Sequence, residues 1–258
     1  MANAYVSIAV AALTFGVGLL GLYLQRLLPE RHMSAGSRDM IGAVIGLLTL
    51  LLALVLGTLV GSAYGFFASQ KAGIESLCAQ SLELDLAFRQ YGPETEPLRD
   101  ALRSSMQEAL DAIKGDTQAY RRHFQLGGYM SKFEKWNDTL SSLAPHTPVQ
   151  MHLISSMSAS SQSFQKTRLL MSLELASSIS WPLIAIVVSW AMLLFFGFGV
   201  MSHLNTTSVG ALALGSFAVA TAIFLILELN QPFSGLFRIP SASIEQAMEV
   251  LSEKPAVD

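Results

Sequence analysis

The chain has 258 residues, 52% of them hydrophobic, a formal net charge of −3 and one cysteine, Cys78. Its 35 charged side chains are segregated: 23 fall between Lys71 and Glu174, whereas residues 1–25, 40–70 and 175–227 carry none apart from the titratable His203. This pattern is not that of a soluble protein, it offers no basic surface for nucleic acid, and a lone thiol excludes an intrachain disulfide or a cysteine metal cluster.

A transmembrane helix needs roughly 20 apolar residues to cross a hydrocarbon core about 30 Å thick. The first predicted span covers roughly 4–27. A cleaved signal peptide is the competing reading, but no basic residue precedes the apolar run and the first ones follow it. The loop 28–39 holds Pro29, Arg31, His32 and Arg38, and a second span follows at roughly 40–68. Residues 4–68 thus make a first hairpin. The uncharged stretch 175–227 has 53 residues, about 80 Å as a single helix, so it must fold back on itself. Ser202-His203-Leu204-Asn205-Thr206-Thr207 is the natural turn. It separates spans at about 180–201 and 207–229, which form a second hairpin over 180–229. Residues 230–258 are read as a tail.

The segment 69–175 between the hairpins reads as helical. Leu98, Ala101, Leu102, Met106, Ala109, Leu110 and Ile113 recur at three- and four-residue steps, the helix period. Ile74, Leu77, Cys78, Leu84 and Phe88 make a weaker stripe that Gly92-Pro93 ends, because a proline biases its predecessor away from helical geometry. Gly127-Gly128 is expected to break a third helix, and Met130, Phe133, Trp136, Leu140 and Leu143 follow as another stripe. Thr147-Pro148 combines a capping hydroxyl with proline at the first helical position. One long helix, through Ile154, Met157, Phe164, Met171 and Leu175, is expected from there toward the third span. The segment is short for an independent domain and reads as an extramembrane extension of the bundle.

Several features bear on function. Ala53, Gly57, Gly61 and Gly65 recur at four-residue steps in the second span, placing small residues, with Ser62 beside them, on one helix face. Such faces let helices approach closely; packing within one chain, a subunit interface and the lining of a narrow pore all fit. Glu228 ends the fourth span within Leu227-Glu228-Leu229-Asn230-Gln231-Pro232-Phe233, and Pro232 and Gly235 mark a sharp helix end. An ionisable group at membrane depth needs a partner or water; it is either a functional carboxylate or an interfacial one paired with Lys71, Arg168 or Arg238. Asp85, Arg99 and Arg103 flank the turn Tyr91-Gly92-Pro93-Glu94 and read as salt-bridge formers or a ligand-sensing site. His32, Asp39 and His203 show no recognisable metal-ligand spacing. No nucleophile motif, phosphate loop or zinc-protease signature occurs, so neither an enzyme nor a cofactor is expected.

Basic residues near span ends number three on one face (Arg26, Arg31, Arg38) and four on the other (Lys71, Lys166, Arg168, Arg238), so the positive-inside rule assigns no clear orientation. The basic flank following the first span favours an external N-terminus.

Three blocks together resemble a bacterial family of integral membrane proteins described as bestrophin-like. They are His32 and Ser37-Arg38-Asp39 leading into Leu52-Ala53-Leu54-Val55-Leu56-Gly57; Tyr91-Gly92-Pro93-Glu94-Thr95 with Arg99 and Leu102-Arg103; and Trp181-Pro182 through Phe196-Gly197-Phe198-Gly199 to Ile226-Leu227-Glu228-Leu229 and Pro232-Phe233-Ser234-Gly235. Asn230 departs from the pattern, where an acidic residue is common, and so does Ser202-His203-Leu204, where a proline-containing loop is common. The looser link to bestrophins implies a pentameric anion channel with four membrane helices per subunit, a second helix lining the pore near Gly57, Gly61, Ser62 and Gly65, and a cytosolic helical region.

The expectation is therefore an all-α polytopic protein of the bacterial inner membrane, a homo-oligomeric channel passing small anions. A non-conducting sensor or scaffold whose helical segment binds a ligand or partner is the alternative. A proton-coupled transporter centred on Glu228 is a third reading, although the inverted repeats common in transporters are not evident.

Overall fold

The structure is a computed structural model and describes residues 2–27, 35–115, 126–176 and 181–252. Among them every regular element is helical: α1 (Ala2–Leu27), α2 (Ala35–Tyr91), a 3₁₀ turn (Pro93–Thr95), α3 (Glu96–Lys114), α4 (Leu126–Ser141), α5 (Pro148–Ala176), α6 (Trp181–Met201), α7 (Thr206–Leu229) and α8 (Ala242–Ser252). Helices α1, α2, α6 and α7 are long and apolar enough to cross a membrane. The chain is thus an all-α polytopic membrane protein with four such helices, as its charge segregation predicts. Pro29, Arg31 and His32 of the first loop lie outside the described residues, as does the junction between α5 and α6.

Two compact units divide the chain, one formed by residues 1–65 and 179–230, the other by 66–178 and 231–258. Helix α2 contributes to both. Its 57 residues amount to about 85 Å at 1.5 Å per residue, so it runs without a break past the expected span end at 68. Nothing in Ser69–Phe88 interrupts a helix: the stretch holds one glycine and no proline.

In the first unit α1 lies mainly against α6 and α7. The approach to α6 is closest where both helices lack side chains. A Cβ on Gly21 would fall on the carbonyl oxygen of Phe196 and stand 3.1 Å from Gly199 Cα; one on Gly199 would fall on the carbonyl of Gly18 and stand 2.8 Å from Leu22 N. Helices in lipid gain no hydrophobic drive from meeting, so close van der Waals contact between small residues is what holds such a pair. Helix α2 joins through Ile45 and Leu52, which share a buried cluster with Val10, Ile184, Val187 and Ile223. The turn between α6 and α7 is where the polar patch predicts it. Asn205 caps α7, its Oδ1 accepting from Ser208 N at 2.7 Å.

The second unit is built on a conventional apolar core that includes Phe88, Leu98, Leu102, Met157, Phe233 and Leu251. Each fully buried side chain of this kind contributes about 1.5–3 kcal/mol. Polar rungs join α2 to α5: Gln70 Nε2 donates to Glu174 Oε2 (2.9 Å), Gln80 Nε2 to Thr167 Oγ1 (3.2 Å) and Ser160 Oγ to Glu83 Oε1 (3.0 Å). Helix α5 starts at Pro148 as expected, with Thr147 Oγ1 accepting from Gln150 N at 3.2 Å. Gly127 and Gly128, expected between helices, sit in the first turn of α4, where backbone N–H groups are unpaired in any helix and glycine disturbs least.

Residues 231–252 are not a free tail. Helix α8 packs on α3, and arginines cap helix ends on both sides of that contact. Arg89 Nη2 donates to Val250 O (3.0 Å) and Arg103 Nε to Leu251 O (2.7 Å), while Arg238 Nη2 donates to the carbonyls of Ile113, Lys114 and Gly115 (2.8–2.9 Å). Orphan C-terminal carbonyls are thereby satisfied by cations at the negative end of each helix. Lys114 also pairs with Glu245 at 2.9 Å and, with Ser241, holds that carboxyl below the usual range.

Candidate functional site

The second span presents the small-residue face. Ala53, Gly57, Gly61, Ser62 and Gly65 are all exposed, and a Cβ added at Gly57, Gly61 or Gly65 would meet nothing within 4 Å. In its most apolar stretch α2 is only 11% buried, against 33% for α1, 39% for α6 and 28% for α7. The surface is also uncharged from 40 to 70. Its hydroxyls turn inward on their own helix, Thr49 Oγ1 to Ile45 O (2.8 Å) and Thr58 Oγ1 to Val55 O (2.9 Å). Among the described residues nothing of the same chain packs against Gly57, Gly61 or Gly65. Close contact between copies and the wall of a narrow apolar pathway are what such a face can do.

Glu228 is 5% exposed and accepts a hydrogen bond from Asn3 Nδ2 at 3.1 Å, across 225 residues of sequence. Of the suggested basic partners, Lys71 pairs with Glu75 (3.9 Å), Arg168 donates to Ser105 (2.9 Å), and Arg238 donates to the end of α3. A neutral amide from α1 helps to hold this side chain. Asn3 escapes a sequence reading because its partner is so distant, although an amide in an apolar span is itself a signal. Asn230 closes α7 with Nδ2 donating to Ile226 O at 2.8 Å. Pro232 O then accepts from Ile239 N (2.9 Å), Phe233 is fully buried, and Gly235 takes φ 96°, a backbone conformation that favours glycine.

The turn after α2 is rigidly built. Gly92 has φ 130°, and a Cβ there would also stand 2.8 Å from Glu94 Oε2. Pro93 opens the 3₁₀ turn. Thr95 Oγ1 donates toward the carbonyls of Phe88 (2.7 Å) and Gly92 (2.8 Å), and Tyr91 O accepts from Gln150 Nε2 (3.1 Å). Beside the turn Asp85 takes Arg89 Nε at 2.6 Å and Arg99 Nε at 2.9 Å, and Glu96 takes Arg99 Nη1 at 2.7 Å and Arg103 Nη1 at 3.5 Å. Burial works against the Arg99 cation, but Asp85 and Glu96 outweigh it and raise its pKa above the ordinary value. The arrangement is a charge network tying α2, α3 and, through Arg89 and Arg103, α8. It brings together Asp85, Arg99 and Arg103. Glu94 makes no ion pair among the described residues.

No group of three or more metal-ligating side chains is assembled among the described residues, and His203 Nδ1 lies 3.2 Å from Gln25 Nε2. A family model described as a bestrophin-like domain matches residues 12–244. The chain belongs to the bestrophin-like family. Membership supports a channel-type membrane protein. Crystal structures of point mutants of a bacterial bestrophin homologue from Klebsiella pneumoniae show the same fold. Two of them have TM-scores of 0.66 and 0.64, at 14% and 15% identity, over 95% of this chain and 97% of theirs. No curated protein matches the chain.

Proposed function

We propose that the protein is an oligomeric channel of the bacterial inner membrane, a ring of five copies that passes small anions along a pathway lined by α2. One observation carries the reading: in a family of channel type, the second span has a face of Ala53, Gly57, Gly61 and Gly65 that the single chain leaves open. Small side chains let copies of α2 crowd around an axis, and an uncharged apolar wall is suited to gating by dewetting and to weak, transient ion binding. The charge network at Asp85 and Arg99 and the membrane-boundary motif at Glu228–Gly235 serve in this reading as rigid supports.

Flux of chloride from liposomes holding purified protein tests it. Chloride efflux that falls when Gly61→Leu is introduced supports the proposal. No flux of chloride or other ions across a range of potentials and calcium levels would sink it, and monomeric or dimeric particles in mild detergent would favour a sensor or scaffold. Loss of a pH-dependent flux in Glu228→Gln alone would point instead to proton coupling.

A further inference from the structure

The second unit contains a pocket of about 300 Å³ between α3, α4 and α5, the lower end of the size range of small-molecule sites (roughly 300–1,000 Å³). Its walls are mostly apolar, with Leu98, Leu102, Trp136 and Phe164 prominent, and its cationic side chains, Lys132, Lys135 and Arg168, outnumber its one carboxylate, Glu108. Arg168, 8% exposed, directs Nη1 to Ser105 Oγ at 2.9 Å. Ser161, 4% exposed, accepts from Trp136 Nε1 at 2.8 Å and from Gln165 Nε2 at 3.3 Å. Both hydroxyl oxygens are thus already used as acceptors, and neither hydroxyl hydrogen has an acceptor among the described residues. The one carboxylate in the lining, Glu108, is held by Lys132 at 2.7 and 2.8 Å. Lys135 at the exposed rim leaves the lining with an excess of positive charge.

A buried hydroxyl hydrogen without an acceptor, as at Ser161, is unfavourable; Ser105 is only half-buried, and the Arg168 cation at its hydroxyl favours a negative acceptor there. The geometry points to a binding site for a small monocarboxylate with an apolar body. Its carboxylate takes the hydrogens of Ser105 and Ser161 near Arg168, and its body lies against Trp136 and Phe164. The site stands independently of whether the protein conducts ions.

Calorimetric titration of the full chain in nanodiscs with 3-phenylpropionate, and with the neutral 3-phenylpropanamide, tests the inference. Saturable binding of the acid at one site per chain is expected, at least tenfold tighter than the amide. Arg168→Gln should weaken the acid at least tenfold and leave the amide unchanged. Ala101→Trp, at an exposed position of α3 that lines the pocket, should abolish binding of both, and it decides the matter if Arg168→Gln does not fold. The absence of saturable binding, equal affinity for acid and amide, or undiminished binding in Ala101→Trp would each overturn the proposal.

Discussion

Two glycine surfaces in the membrane unit have opposite fates. Gly18, Gly21 and Gly199 are spent inside the chain, where α1 and α6 touch backbone to backbone; Gly57, Gly61 and Gly65 of α2 face open space. Glycine in a membrane helix therefore does not by itself say what it is for. The neighbouring backbone does, and here it separates glycines required by the fold from glycines left over for an assembly.

The difference can be tested by mutation, with the buried ion pair of the second unit as a yardstick. Asp85→Ala takes from Arg99, whose side chain is 5% exposed, the more buried of its two carboxylates and leaves it only the half-exposed Glu96; it should destabilise by about 3 kcal/mol, the lower end for breaking a buried pair, read as thermal unfolding in nanodiscs. Gly21→Leu drives a side chain into the Phe196 carbonyl and should lose about 3 kcal/mol, near the upper end for overpacking, with little folded protein recovered. Gly61→Leu should instead leave the unfolding midpoint of the isolated subunit within about 0.5 kcal/mol of wild type, as for an exposed position, while disrupting the ring or its flux. A Gly61→Leu chain that unfolds as readily as Gly21→Leu would erase the distinction. A smaller effect is expected between Asn3 and Glu228. A double-mutant cycle with Asn3→Ala and Glu228→Gln should show a coupling of about 0.6 kcal/mol, typical of a polar pair between membrane helices.

The smallest effect is expected at Cys78. Burial, with the nearby Glu75 carboxylate adding to it, pushes this thiol from the ordinary 9.0 up to about 11. A thiol held neutral reacts slowly, so modification by a maleimide at pH 8 should be slow in folded protein and fast once it is unfolded. The unfolded chain ionises first as pH rises. The contribution of Cys78 to stability is therefore complete below pH 9 and declines between pH 9 and 11.

Much of this organisation is legible in the residues. The four spans follow from where charge is missing, the turn after α2 from Gly92-Pro93, the start of α5 from Thr147-Pro148, and the α6–α7 turn from Ser202–Thr207. What escaped was long-range. The four-residue glycine step in α2 is conspicuous, but the step that packs helices in this chain is the irregular Gly18, Gly21 against Gly199, which periodicity in one segment cannot pair. The unbroken course of α2 was hidden because a span is read by its apolarity, and Lys71 ends the apolar run without ending the helix. The arginines that cap α3 and α8 lie more than 120 residues from the carbonyls they bind, and nothing local in Arg89, Arg103 or Arg238 announces it.

The central claim is that the open face of α2 belongs to a ring and lines its axis. Cryo-electron microscopy of the full chain in nanodiscs tests it most directly. Five-fold particles in which Gly57, Gly61 and Gly65 of every copy turn toward a common axis are expected. Monomers or dimers, or a ring in which these glycines face lipid, would contradict it.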